Sequence, residues 1–249
     1  MERAAVLRRL SWQTGTVVGS SFETPRVKTI TLAVPGWPGH RAGQHLDVRL
    51  TAPDGYRTER SYSIASGPED ENVSITVERL DDGEVSPFLV DELRAGDELE
   101  FRGPIGGHFV WDGDTAAPLF LIGGGSGVAP LRAMLRHHRA RNSEAPVRLL
   151  YSARSRELLI YRTELSELGA DDLIDVAITL TREAPDDWDG HRGRIDPALL
   201  AETGWPVGVQ PLTYICGPTA FVETAARGLV GLGHDPARIR TERFGGTGG

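Results

Sequence analysis

Cysteine is almost absent: Cys216 stands alone in 249 residues. That scarcity excludes an intrachain disulfide and any four-cysteine iron–sulfur cluster or zinc site built by this sequence alone. Long apolar runs are missing too. None approaches the ~18 residues that cross a bilayer, and the opening MERAAVLRRLSWQTG has arginines but no apolar stretch of signal-peptide length. A cytoplasmic protein with no membrane contact is the expectation. Nor is there a surplus of positive charge. The formal charge of −8 speaks against nucleic acid as a partner, while leaving room for docking through a local basic patch. Repeats and low-complexity stretches are lacking apart from the closing GGTGG, which reads as a loose tail.

What the sequence does have is two different rhythms. Its 39% apolar and 25% charged residues suit an ordinary globular protein, long enough for two domains. From Gln13 to about Gly103 the apolar residues tend to alternate between turn residues. This predicts strands at Gly15–Val18, Val27–Ala33, His45–Leu50, Arg57–Ser66, Val73–Arg79 and Glu98–Phe101. With one helix-sized insertion at Ser86–Leu93, they predict an antiparallel β-barrel or sandwich. Past the turn-rich stretch Gly103–Pro118, strands are expected at Leu119–Ile122, Val147–Tyr151, Ile174–Thr181 and Thr213–Cys216, with a last segment at Ile239–Phe244. Helices near Pro130–Arg141, Ile160–Leu168 and Ala220–Gly231 fall between or after them. That alternation predicts a parallel α/β sheet with right-handed crossovers. The division is placed at residues 1–112 and 113–249, and ligands favour the interface between two such units.

Three stretches carry chemistry. LFLIGGGSGVAPLRAML, Leu119–Leu135, joins a short apolar strand to glycines at 123, 124, 125 and 127, then to Val128, Leu131, Met134 and Leu135 at helical spacing. Glycines let the backbone turn tightly and approach a ligand, and a helix start offers free N–H groups to an anion. Taken alone the run is either a phosphate cradle or a plain tight turn, because Val128 stands where a strict G-x-G-x-x-G has its third glycine. In Arg60-Ser61-Tyr62-Ser63-Ile64-Ala65-Ser66, residues two apart share a face, so Arg60 and Tyr62 point one way and Ser61 and Ser63 the other. Arg offers a planar fork to phosphate and Tyr a ring to a flat ligand; alone, the stretch reads first as a strand with a surface Arg and a half-buried Tyr. In Gly83-Glu84-Val85-Ser86-Pro87-Phe88-Leu89, Ser86 precedes a proline as a helix N-cap would, giving a second anion site or an ordinary helix start.

Together these stretches resemble the ferredoxin–NADP reductase superfamily of flavin-dependent electron-transfer enzymes, in order and over nearly the whole sequence. RSYSIAS is similar to the family's R-x-Y-S flavin motif, GEVSPFL to its pyrophosphate-binding G-x-x-S segment, and GGGSGVAP to its nicotinamide-nucleotide glycine loop. YICGPTAF, Tyr214–Phe221, is similar to its C-G-P motif, and the late TERF to its aromatic ending. The resemblance implies an N-terminal antiparallel Greek-key β-barrel flavin domain followed by a Rossmann-like parallel α/β nucleotide domain. It implies that Arg60 holds the flavin pyrophosphate, that Tyr62 stacks on the isoalloxazine, and that Ser63, with Ser61 beside it, hydrogen-bonds near N5. Gly83, Val85 and Ser86 would cradle the pyrophosphate through backbone amides. Gly124, Gly125, Ser126 and Gly127 would face the nicotinamide dinucleotide, and Cys216, Gly217 and Pro218 would lie beside the nicotinamide ring. Phe244 would cover the other flavin face, although residues follow it where family members end on the aromatic. Tyr62, Ser63 and Cys216 are the catalytic candidates, Cys216 by shaping the pocket and not as a thiol nucleophile; no metal is required. Glu242 is either a proton-relay carboxylate near the flavin or, more simply, a solvated residue.

Charge at the strand ends separates the two nicotinamide cofactors. A carboxylate about twenty residues beyond the glycine loop suits NAD, and an Arg suits the 2′-phosphate of NADP. Here Tyr151-Ser152-Ala153-Arg154-Ser155-Arg156 offers Ser152 and Arg154, and Thr181-Arg182-Glu183 offers Arg182. NADPH is expected, with NADH as the alternative. FAD is expected over FMN, because GEVS supplies anion-binding amides beyond those one phosphate needs. The implied enzyme passes hydride from NADPH to FAD N5 and then single electrons to a separate iron–sulfur acceptor, a ferredoxin or an oxygenase component. A separate acceptor is expected because the sequence lacks the cysteines of a fused [2Fe–2S] domain. A monomer is expected. The rivals are a free-flavin or general NAD(P)H reductase and, outside enzymes, a flavin- or nucleotide-binding interaction module.

Overall fold

Alternating apolar residues build the first of two sheets. The computed structural model describes residues 10–245, so the first nine residues and all but the first glycine of GGTGG lie outside the described residues. Strands β1 (Gln13–Thr24), β2 (Val27–Ala33), β3 (His45–Thr51), β4 (Arg57–Ser63), β5 (Val73–Glu78) and β6 (Glu98–Ile105) form one antiparallel sheet in the order β4-β3-β6-β1-β2-β5. A bridge between Ile64 and Ile75 draws its two edges together into a barrel. Every second residue points inward, and Ile30, Leu32, Leu46, Val48 and Phe101 are fully buried in the barrel core. Each contributes roughly 1.5–3 kcal/mol by leaving water.

Between β5 and β6 a helical segment plugs the barrel. α1 (Val85–Pro87) runs straight into a π-helical turn, Phe88–Glu92, which seats Val85, Leu89 and Val90 in the core. The N-cap expected at Ser86 is corrected: the helix starts at Val85, and the Ser86 Oγ accepts the N–H of Leu80 at 3.0 Å. The preceding turn competes for the hydroxyl and wins it. The other end of the segment is closed by Lys28, only 3% exposed. Its ammonium donates to the carbonyls of Leu89, Val90 and Leu93 at 3.4, 3.2 and 2.8 Å, groups that a helix end leaves without partners. Burial, helped by the charge of Arg94, lowers its pKa.

Apolar runs build the second sheet. β7 (Leu119–Gly124), β8 (Val147–Ser155), β9 (Ile174–Glu183), β10 (His191–Arg192), β11 (Leu212–Pro218) and β12 (Ile239–Phe244) are parallel, in the order β10-β9-β8-β7-β11-β12. Helices α2 (Val128–Ala140) and α3 (Arg162–Leu168) pack on one face; α4 (Pro197–Thr203) and α5 (Thr219–Leu232) pack on the other. Strand–helix alternation alone does not predict α4. It starts on Asp196, whose carboxylate accepts the Leu199 N–H at 2.8 Å ahead of Pro197, so the cap-and-proline pairing expected at Ser86 occurs here instead. No helix among the described residues is long and apolar enough to cross a membrane.

A buried polar seam sets how the barrel faces the sheet. The Glu23 carboxylate accepts from the Thr29 hydroxyl at 2.7 Å and the Tyr161 N–H at 3.3 Å, and the Tyr161 hydroxyl meets that of Thr76. Arg132 lies 4.2 Å over the Tyr161 ring and donates to Glu164 at 2.7 Å. Such a network is strong when every member is satisfied, because the surroundings do not screen it.

Candidate active site between the barrel and the parallel sheet

Strand order in the parallel sheet turns back between β7 and β11, and an open α/β sheet leaves its ligand crevice at the carboxyl ends of strands where that happens. A cleft of about 620 Å³ lies there, closed on its other side by Thr24, Arg26, Val27 and Glu78 of the barrel. Gly124, Gly125, Ser152 and Arg154 line it from β7, β8 and the turn between β7 and α2; Arg182, Pro218 and Phe244 line it from β9, β11 and β12. Ser126, Gly127, Cys216 and Gly217 do not line the cleft itself.

The glycines of the loop have different reasons to be glycine. Gly125 has φ +56°, and nothing stands within 4 Å of the place a Cβ would take, so this stretch of backbone is bare toward the cleft. A Cβ on Gly124 or Gly217 would meet the Phe221 ring at 2.9 or 2.8 Å, and one on Gly127 would sit 2.2 Å from the Cys216 carbonyl oxygen. Gly124 and Gly217 let Phe221 of α5 pack against β7 and β11, and Gly127 lets the start of α2 close on β11. Ser126 turns toward the barrel, its hydroxyl donating to Glu78 at 2.9 Å.

The cleft is positive at one end. Arg154, Arg182 and Arg194 line it and carry no salt bridge among the described residues, whereas Arg156 is taken by Asp187 at 3.0 Å and lies over Trp188. Guanidinium forks beside the hydroxyls of Ser152 and Thr181 match the geometry of a phosphate.

On the barrel, Arg60 is exposed and its Nη1 donates to the Glu59 carbonyl at 2.7 Å. Tyr62 is half-buried against the barrel core, and burial raises its phenol's pKa. Ser61 faces the other way: its hydroxyl donates to Asp47 at 2.6 Å, and Asp47 also accepts from Arg102 at 2.9 Å. Its side chain is therefore committed to the outer face of the barrel. Val85 is buried in the core and the Ser86 hydroxyl is spent on Leu80, which leaves backbone as what Gly83, Val85 and Ser86 can offer a ligand.

At the strand ends the barrel approaches the parallel sheet through His45 and Glu242. Ser63 pairs in register with His45 across β3 and β4, and Cys216 pairs with Glu242 across β11 and β12. His45 Nδ1 lies 3.8 Å from Glu242 Oε1. Burial pushes Glu242 up to about 7, lowers the His45 pKa, and with the charge of Glu242 raises the Cys216 thiol well above its ordinary value. The thiol stays protonated. Glu242 is 25% exposed, its Oε2 is buried, and that oxygen has no hydrogen-bond partner among the described residues, so the simpler reading of a solvated Glu242 is corrected.

These residues fit a flavin and a nicotinamide dinucleotide. The donor set is cationic where phosphates would lie, Gly125 leaves open space, and a buried carboxylate oxygen at the junction lacks a partner among the described residues. Arg26, Glu78, Thr24 and Arg194 are among the lining residues that the motifs did not reveal as site residues. Arg194 alone had a local signal, in Trp188-Asp189-Gly190…Gly193-Arg194-Ile195, which resembles a loop of the family.

Comparison with known proteins bears on both halves. The family described as "Oxidoreductase FAD-binding domain" matches residues 23–111, and that described as "Oxidoreductase NAD-binding domain" matches residues 121–227. Ferredoxin–NADP reductase B of Sorangium cellulosum is 36% identical over 212 residues, covering 82% of this chain and 84% of that one. The glycine betaine monooxygenase reductase subunit of Chromohalobacter salexigens is 32% identical over 211 residues, 83% of this chain but 56% of the relative, so this chain spans little more than half that protein's length. Among solved structures, the flavohem-like FAD/NAD-binding domain of the Vibrio cholerae nitric oxide dioxygenase superposes with a TM-score of 0.84 at 27% identity, over 94% of this chain and 98% of that domain.

Proposed function

Since this chain belongs to the ferredoxin–NADP reductase superfamily, we propose that it oxidises NADPH through bound FAD and delivers single electrons to a separate redox protein. Bound FAD supplies the chemistry, accepting hydride from a reduced nicotinamide and releasing its electrons singly. The protein's part is to bind, orient and exclude water. Arg60 and the backbone amides of Val85 and Ser86 would hold the pyrophosphate. Tyr62 would stack on the isoalloxazine, Ser63 would hydrogen-bond near its N5, and Phe244 would cover the other face. Gly124 and Gly125 let the nicotinamide dinucleotide approach the backbone, and Cys216, Gly217 and Pro218 shape the space beside its ring. Glu242 holds a proton on its carboxyl next to His45.

The observation that carries this reading is the polarity of the cleft. Three guanidiniums without carboxylate partners among the described residues stand at one end, with Gly125, Pro218 and Phe244 also on its wall, as a phosphorylated dinucleotide reaching toward a flavin requires. Arg154 and Arg182 favour the 2′-phosphate of NADPH over NADH. Relatives named as reductase subunits or ferredoxin reductases support an oxygenase component or a ferredoxin as acceptor. The division between the domains is proposed near residue 112, in the stretch between β6 and β7.

Anaerobic stopped-flow absorbance tests the proposal, with the flavin-loaded protein mixed separately with NADPH and NADH. Rapid bleaching of the flavin band by NADPH and slow bleaching by NADH is the expected result. Equal rates would sink the role of the arginines and leave the reductase standing; no bleaching with either would favour a non-catalytic binding module.

A further inference from the structure

Tyr56 is 56% exposed, a large aromatic left in solvent just ahead of β4. It is nevertheless held in place. Its N–H is bonded to Asp54 Oδ1 at 3.0 Å, its carbonyl accepts the Ala52 N–H at 2.8 Å, and its phenol donates to Glu84 Oε2 at 3.1 Å. Glu84 is the residue immediately before Val85 and Ser86. The tether therefore runs from the tip of the β3–β4 hairpin to the turn whose amides the pyrophosphate would use.

Residues two apart along an extended segment share a face. Tyr56, Thr58, Arg60 and Tyr62 thus form one stripe, and the Glu84 hydrogen bond raises the pKa of the Tyr56 phenol against the weaker pull of the Arg60 charge. From Tyr56 to Tyr62 the stripe runs about 20 Å at ~3.3 Å per residue. It carries an aromatic ring at each end and a guanidinium between them, which is the layout of a dinucleotide with a ring system at each end and its pyrophosphate between. A ring already fixed at backbone and hydroxyl loses little freedom when a flat base lies on it.

We propose that Tyr56 is the platform on which the adenine of FAD stacks, and so the residue that makes this site prefer FAD to FMN. The proposal rests on the flavin reading of Arg60, Tyr62 and Ser86. FMN ends at its single phosphate, reaches Arg60, and has nothing to place on Tyr56.

The test is titration of flavin-stripped protein with FAD and with FMN, followed by quenching of flavin fluorescence, for the wild type, Tyr56→Ala and Tyr56→Phe, with circular dichroism to confirm the fold. Tyr56→Ala is expected to weaken FAD by roughly ten- to a hundredfold, the range of base–aromatic stacking, and to leave FMN unchanged, so that the preference between the two collapses. Tyr56→Phe, which keeps the ring and loses the tether, falls between. FAD affinity unchanged in Tyr56→Ala would overturn the platform and leave a surface aromatic free to meet a protein partner. Equal weakening of FAD and FMN would also overturn it, pointing to a structural role through Glu84. Wild-type protein that binds neither flavin would remove the flavin reading together with this proposal.

Discussion

The barrel and the parallel sheet prepare for anionic cofactors in opposite ways. The barrel lays its groups along one segment: Tyr56, Arg60 and Tyr62 follow one another on a single face ahead of and within β4, and what each would offer a cofactor is its side chain. The sheet gathers its groups from the ends of β7, β8, β9 and β11, and much of what it offers is backbone brought close by missing side chains. Substitution on the barrel stripe should therefore change what binds and spare the fold. At the sheet's switch point, the fold itself is at stake.

The sharpest way to break this contrast is Gly127→Ala. A Cβ there would stand 2.2 Å from the Cys216 carbonyl oxygen, and its nearest neighbours are all backbone atoms of the Cys216–Gly217 peptide, with no flexible side chain to move. Loss of about 3 kcal/mol in urea unfolding is expected; a variant as stable as the wild type would mean that the strand ends have slack. Next in size is Arg154→Ala, which removes a charge from the phosphate end without touching the core. It should raise KM for NADPH about tenfold, the cost of one charge-assisted contact, and leave KM for NADH unchanged. An equal rise for both cofactors would move Arg154 away from the 2′-phosphate.

The smallest effect, and the one that joins the two halves, is at Glu242. Burial raises its pKa from the ordinary 4.5 to about 7, so between those values the folded chain keeps a proton that the unfolded chain has lost. Stability from this group is therefore highest at low pH and falls as pH rises through the window. Glu242→Gln cannot titrate, and should gain on the wild type by on the order of 1–2 kcal/mol between pH ~5 and ~8. His45, shifted downward by burial, acts in the opposite sense but is present in both proteins. A pH-independent difference in urea unfolding would place the Glu242 charge in solvent.

The same contrast explains what could be read in advance. Groups strung along one strand are contiguous in sequence, so the placing of Arg60, Tyr62 and Ser63 on one strand could be read in advance, as could the strand and glycine run of Leu119–Leu135. Groups that depend on a distant partner do not. Nothing near Ser126 or Ser61 in sequence reveals that Glu78 and Asp47 hold their hydroxyls, and the Ser86 cap fails because Leu80, six residues earlier, takes its oxygen. Glu242 reads as solvated because carboxylates are seldom buried. Only the pairing of β12 with β11 and the approach of His45 from the barrel put it under cover. Arg26 and Glu78 reach the cleft from barrel elements, a juxtaposition of the two sheets that no local pattern encodes.

Lys28, tucked under the π-helical turn, is the single lysine of the sequence, and it is buried. Among side chains, then, the folded surface presents no primary amine. Amine-directed cross-linkers cannot capture a docked electron acceptor through a lysine of this chain, and any ion pair such a partner makes with a basic side chain here falls to guanidinium or imidazolium groups. Acylation of that buried amine would instead time the opening of the barrel plug: each modified Lys28 marks a molecule whose helical segment has let go.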